Sequence, residues 1–83
     1  MGRCEKLLRK ARSSPGGLRF EEACRLAECL GFEPVRSARG SHRIFKKPGE
    51  RSLVNLQNRG GQAIPYQVKQ ILAIADELGL LDE

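Results

Sequence analysis

Hydrophobic residues recur with helical spacing in two stretches of the N-terminal half of the chain. The first stretch has apolar side chains at i, i+3, i+4 and i+7 and predicts an amphipathic helix over residues 4–12, followed by a loop rich in Ser, Pro and Gly. Its apolar residues are Cys4, Leu7, Leu8 and Ala11. The second stretch predicts a helix that begins at Phe20 and stops at Gly31. Its apolar residues are Phe20, Ala23, Cys24, Ala27 and Leu30.

The helical period is lost between Phe32 and Gln57, where turn-forming residues separate three short runs. These runs predict three strands, at about residues 33–37, 41–47 and 52–57. Because the turns between them are short, consecutive strands should be antiparallel neighbours in one sheet.

A third helical stripe follows a glycine-rich loop. Pro65 suits the first turn of a helix, where its missing N–H costs no hydrogen bond, and Gly79 is the expected C-terminal stop. The apolar residues of this helix are Val68, Ile71, Leu72, Ala75 and Leu78. The order of elements predicts one two-layer α+β domain over residues 1–83, with the helices on one face of an antiparallel sheet and the other face left open for a partner. Within it, residues 1–17 are an N-terminal helix and loop extension, and residues 18–83 form the core.

Charge is concentrated in the middle of the chain. The formal net charge is +5, but residues 36–59 carry seven Lys or Arg against one acid, whereas residues 60–83 carry one Lys against four acids. A basic section of this kind is the electrostatic footprint of a protein that binds a polyanion, although an ordinary solvated sheet face has a similar composition. No run approaches the roughly 18 apolar residues of a membrane span, and the N-terminus lacks a signal peptide's apolar run, so we expect a cytoplasmic protein with no membrane partner.

The three cysteines are odd in number, lack C-x-x-C spacing and fall inside predicted helices. We therefore expect Cys4, Cys24 and Cys29 to be small core residues, with no disulfide framework and no zinc site among them.

His42 is the only histidine, and it lies at the start of the middle strand, inside the basic section. An imidazole exchanges protons near neutral pH, and RNA cleavage without a metal needs a base that removes the 2′-OH proton. Taken alone, a histidine on a strand is more often structural or merely exposed. By the two-residue period of a strand, His42 shares a face with Ile44 and Lys46. We favour Phe45 as the core-facing residue because it is the larger apolar side chain, which puts His42 on the open face.

Residues 40–45, Gly-Ser-His-Arg-Ile-Phe, resemble the G-S-H-x-x-F segment of the HicA family of toxins. Residues 62–72 resemble the entry into the family's last helix, and residues 30–33 resemble the end of its first core helix. The resemblance covers about residues 20–80. It implies a double-stranded-RNA-binding-like αβββα fold, to which the N-terminal helix is an addition. It also implies mRNA cleavage or translational arrest that depends on a histidine and is neutralised by a HicB-type antitoxin.

The resemblance makes His42 the expected catalytic residue, acting as a general base without a metal or another cofactor. The basic residues and the turn around it are the expected RNA-binding set: Arg39, Gly40, Ser41, Arg43, Lys46 and Lys47. The alternative function is a non-catalytic RNA-binding module that uses the same basic face. Many members of the family carry a proline and a second histidine after the third strand. This chain reads Val-Asn-Leu-Gln-Asn at residues 54–58 instead, so no second acid or base is identified.

Two further motifs have alternative interpretations. Gly60, Gly61 and Gln62 match the GGQ tripeptide of translation release factors, but a helix begins too soon afterwards for a long flexible loop, and we interpret them as a turn. Tyr66 and Gln67 lie in the first turn of the last helix. They either meet phosphate together with the helix N-terminus, or Tyr66 only covers the edge of the core.

Overall fold

The computed structural model of the chain describes residues 2–35, 42–51 and 53–77. Within these ranges it contains three α-helices and one three-stranded antiparallel sheet, which confirms the predicted α+β class. The elements in chain order are α1 (Gly2–Ser13), a 3-10 turn (Pro15–Gly17), α2 (Phe20–Cys29), β1 (Glu33–Pro34), β2 (His42–Lys46), β3 (Val54–Gln57) and α3 (Pro65–Glu77). The predicted helix stop at Gly79 and the outer ends of the predicted strands at residues 36–37, 41 and 52 lie outside the described residues.

The strands are hydrogen-bonded in the order β1-β2-β3, and both pairs are antiparallel, as the short turns predict. Phe45 fixes the register at the centre of the sheet, where it is paired with Pro34 on one side and Val54 on the other. Its side chain is 1% exposed, so Phe45 is the core-facing residue of β2, as its size predicts.

The core lies between one face of the sheet and the helices. Phe45, Val54 and Leu56 project into it from β2 and β3, and none of the three is more than 1% exposed. Helices α2 and α3 both pack against β3, while α1 packs against those two helices. The helices contribute buried apolar residues with helical spacing, among them Ala23, Leu26 and Ala27 of α2 and Val68, Ile71 and Ala75 of α3. The opposite face of the sheet is therefore left for solvent or a partner.

Gly31 ends α2, as predicted, by taking a φ of +94°, a conformation that costs glycine little. The N–H groups of Gly31 and Phe32 then donate to carbonyls in the last turn of the helix, in the pattern of a Schellman motif. Lys47 satisfies a further carbonyl, because its Nζ donates to the oxygen of Leu30 at 2.8 Å.

Helix α1 is joined to α2 by a disulfide between Cys4 and Cys29, so the expectation that the cysteines form no disulfide is wrong for this pair. The physical reason is that the two helices run antiparallel, which brings the start of α1 to the end of α2. Lys10, near the other end of α1, accordingly forms an ion pair with Glu22 in the first turn of α2. Cys24 is a free, partly buried thiol packed against the core, as expected. Burial raises its pKa above the ordinary value.

The glycines at the GGQ tripeptide form a tight turn between β3 and α3, which agrees with the turn interpretation. Gly60 and Gly61 have φ of +60° and +90°, and the backbones of Arg59 and Gln62 exchange two hydrogen bonds across them. The Gly61 carbonyl also accepts the N–H of Phe20 at the start of α2. This turn is thus held in place by its neighbours.

In the described part of the chain, no helix is long and apolar enough to cross a membrane.

Candidate nucleic-acid interface

The open face of the sheet carries His42, the expected catalytic residue. His42 is the first residue of β2 and is exposed, on the face opposite to Phe45. Ile44, two residues on, is only partly exposed, and Lys46 at the other end of the strand is exposed. His42 therefore lies on the open face, and its imidazole is accessible to a ligand.

Gln57 is the cross-strand partner of His42. The N–H of Val35 donates to the carbonyl of Ile44, so the backbone N–H and C=O groups of Ile44 point towards β1. His42 lies two residues away on the same strand, and its backbone groups therefore also point towards β1. His42 and Gln57 consequently form a non-hydrogen-bonded pair, the type in which side chains on one face come closest. The Gln57 side chain is thus the nearest cross-strand neighbour of the imidazole.

The backbone of Gln57 faces outward, away from β2, and helix α3 satisfies it. Its N–H donates to the side-chain Oε1 of Gln67 at 2.8 Å. Gln67 lies in the first turn of α3, which is anchored one residue later by the fully buried Val68. This hydrogen bond joins the end of β3, next to His42, to the start of α3. Tyr66 lies beside it but is 68% exposed, so it does not cover the core.

Arg43 and Lys47, both expected to bind RNA, project to the helical side of the sheet. The Arg43 guanidinium lies over the ring of Phe20, with its Cζ 5.9 Å from the ring centroid. Lys47 is partly buried and binds the C-terminus of α2. Neither residue shares the face of His42, because neighbouring residues of a strand point to opposite faces.

Lys46 shares that face but lies four residues from His42, which is about 13 Å along a strand. Its cross-strand partner is Glu33, an opposite charge. A shallow groove of about 460 Å³ lies at this end of the sheet, and Lys46 lines it together with Glu33, Pro34, Val35 and Pro48. Lys46 and His42 therefore mark opposite ends of the open face. Arg39, Gly40 and Ser41, the remaining members of the expected RNA-binding set, lie outside the described residues.

Two arginines that the sequence analysis did not assign to the site lie at the same end of the fold as His42. Arg59 follows Gln57 by two residues, and Arg19 precedes α2; both form backbone bridges to Gln62, and both are exposed. Arg19 is far from His42 in sequence, and the backbone contacts of residues 18–20 with residues 61–63 bring it to this end of the sheet. No local pattern of residues could have indicated that.

Among the described residues, no group of three or more His, Cys, Asp and Glu side chains could hold a metal ion. The groups available at the site are an exposed imidazole, an amide side chain and guanidinium groups. Such groups can exchange a proton, donate hydrogen bonds and bind phosphate oxygens.

The chain matches the family model for the HicA toxin of bacterial toxin–antitoxin systems over residues 20–77. The match begins at the first residue of α2 and ends at the last described residue of α3, and α1 lies before it. Searches of curated proteins and of solved structures gave no significant match.

Proposed function

Because the chain belongs to the HicA family of bacterial toxins, we propose that it is a metal-independent endoribonuclease that cleaves mRNA with His42 as its catalytic residue. The observation that carries the proposal is the position of His42, an exposed imidazole on the open face of a sheet whose other face is packed against helices. An accessible imidazole is what proton transfer to or from an RNA strand requires.

In the proposed reaction, the imidazole of His42 removes the proton of a ribose 2′-OH. The 2′-oxygen forms a bond to the adjacent phosphorus, the bond from phosphorus to the 5′-oxygen breaks, and the leaving 5′-oxygen takes up a proton from water. Charge develops on the phosphoryl oxygens during this step, and nearby cations stabilise it. Arg59 and Arg19 are exposed at the His42 end of the fold, and we add them to Arg39 as candidates for binding this phosphate. Arg43 projects from the opposite face of the sheet, so in the proposal it binds a phosphate away from the cleaved bond.

The other members of the expected set have different parts in the proposal. Gly40 and Ser41, which directly precede His42 in sequence, stay in the proposed RNA-binding set. Lys46, about 13 Å from His42 along the strand, contacts RNA beyond the cleaved phosphate. Lys47 serves the fold, since its ammonium group already binds the Leu30 carbonyl.

The proposed partners are mRNA, in the cytoplasm, and a HicB-type antitoxin. An antitoxin that stops the reaction by occlusion should be acidic where it meets the basic end of the open face, because it then competes directly with phosphate. Catalytically inactive His42→Ala protein saturated with the antitoxin should lose its affinity for labelled RNA. Equal RNA binding by the complex and the free protein would show that inhibition uses another surface.

The main experiment is RNA cleavage by purified protein free of antitoxin, with and without EDTA. We expect EDTA to have no effect and His42→Ala to abolish cleavage and growth arrest. Asn55→Ala is a matched control, because Asn55 is exposed on the same face, two residues before Gln57. Full activity in folded His42→Ala protein would remove the mechanism. Binding without cleavage by the unaltered protein would favour the non-catalytic RNA-binding module instead.

The dependence of RNA binding on salt tests the cations. Each phosphate contact on a single strand contributes roughly 0.7 to the slope of log affinity against log salt. Arg59→Ala should lower the slope by about that amount, whereas Lys69→Ala, on the exposed side of α3, should leave it unchanged. An equal slope in Arg59→Ala and the unaltered protein would show that RNA does not contact Arg59.

A further inference from the structure

We propose that Gln67 is a positioning residue for His42 and acts through Gln57. The juxtaposition that carries this is a chain of two contacts. Gln67 Oε1 accepts the outward N–H of Gln57 at 2.8 Å, and Gln57 is the cross-strand partner of His42. The inference rests on the proposed ribonuclease function and adds to it a residue on a different element.

The hydrogen bond from Gln57 to Gln67 restrains the end of β3 at a backbone group that is not hydrogen-bonded to β2. Gln57 is the last residue of β3, an edge strand, and its backbone N–H points away from β2. Without an acceptor from α3, the end of β3 would be held by the pairing of Leu56 with Arg43 and by the turn over residues 59–62, but not at Gln57 itself. Gln67 supplies that acceptor from a helix whose next residue, Val68, is fully buried.

The second contact transmits this position to the imidazole. In a non-hydrogen-bonded antiparallel pair, the Cβ atoms are about 4.5–5.5 Å apart, close enough for two side chains to pack against each other. The Gln57 side chain is partly buried, whereas His42 is exposed. Of the two side chains, that of Gln57 is therefore the more restrained. A shift of the Gln57 backbone therefore changes the surface next to His42 on the open face.

The chain provides matched variants for a test. Gln67→Leu removes the acceptor and keeps a side chain of similar size, and Gln67→Glu keeps an oxygen acceptor at the same place. Gln70→Leu is the control, because Gln70 lies on the same helix and is exposed, and its side chain donates a hydrogen bond to the Tyr66 hydroxyl within that helix, at 3.4 Å.

The first measurement is the imidazole resonance at constant pH, which is free of overlap because His42 is the only histidine. We expect Gln67→Leu to shift the Cε1–H signal, and Gln67→Glu and Gln70→Leu to leave it near its original position. The second measurement is RNA cleavage. Misplacement of a catalytic group costs about tenfold to a hundredfold in rate, so kcat should fall by this amount in Gln67→Leu while KM changes little.

The two measurements separate this proposal from the ribonuclease proposal. An unchanged imidazole signal and unchanged kcat in folded Gln67→Leu protein would overturn the positioning role and leave the ribonuclease proposal intact. If even the unaltered protein fails to cleave RNA, the ribonuclease proposal fails, and the imidazole signal alone decides whether Gln67 positions His42.

Amide hydrogen exchange in the unaltered protein covers the case in which Gln67→Leu does not fold. The N–H groups of Asn55 and Gln57 point to the same edge of β3, and in the described part of the chain only that of Gln57 has an acceptor. Slower exchange at Gln57 than at Asn55 would support the anchoring of β3 by Gln67. Equal exchange at the two sites would overturn it.

Discussion

Reduction of the disulfide between Cys4 and Cys29 should lower the free energy of unfolding by about 3.5 kcal/mol. The bond joins residues 25 positions apart, and a cross-link of that span removes about 12 cal/mol/K of entropy from the unfolded chain. A small domain has a total stability of about 5–15 kcal/mol, so this single bond contributes a large share of it.

Other contacts hold α1 in place, and they determine what remains after reduction. Ala11 is fully buried against the rest of the core. The ion pairs of Lys10 with Glu22 and of Arg12 with Asp76 are partly or largely exposed, and each contributes at most about 1 kcal/mol. We therefore expect the reduced protein to stay folded at 25 °C, with its melting temperature lowered by about 15–25 °C.

The assay is equilibrium unfolding in urea, followed by circular dichroism, with and without dithiothreitol. The free energy of unfolding of Cys24→Ser should fall on reduction as much as that of the unaltered protein, because Cys24 is a free thiol. A variant with both Cys4→Ser and Cys29→Ser should not respond to reductant, and its free energy of unfolding should equal that of the reduced protein. The reasoning is refuted if the oxidised and reduced proteins differ by less than about 1 kcal/mol, or if the double variant still responds to reductant.

Three further predictions concern the fold. The N–H of Arg19 and the ammonium of Lys10 lower the pKa of Glu22, so its contribution to stability is present at neutral pH and is lost as the pH falls below about 4.5. Glu22→Gln should thus be less stable than the unaltered protein at pH 7 but not at pH 2, and an equal difference at both would contradict this. Because burial raises its pKa, Cys24 should react with iodoacetamide far more slowly in the folded protein than in urea, and equal rates would exclude a protected thiol. Phe45→Ala should cost about 3–5 kcal/mol in urea unfolding, and a loss below 1 kcal/mol would mean that Phe45 is not central to the core.

The sequence by itself determined the elements and the orientation of β2. Helical spacing of apolar residues predicted α2 and α3, and Gly31 marked the end of α2 because only glycine takes a positive φ at little cost. The size of Phe45 indicated which face of β2 is buried, and His42 was thereby predicted to lie on the open face. These features depend on a residue and its near neighbours, so they can be read along the chain.

The tertiary structure decided which residues from different elements meet. Cys4 meets Cys29 because α1 and α2 run antiparallel, a packing arrangement that cysteine spacing does not encode. Lys47 appeared to belong to a basic surface, and only the approach of α2 showed that its ammonium binds the Leu30 carbonyl. In each case the partner is 17 or more residues away in sequence.

The surroundings of His42 were decided in the same way. The cross-strand register pairs His42 with Gln57, and the packing of α3 on β3 places Gln67 behind that pair. A periodic pattern of apolar residues states which face of an element is buried, but not which residue of another element lies opposite. Register and helix packing follow from how the whole set of elements shares one core, and for that reason only the folded chain shows them.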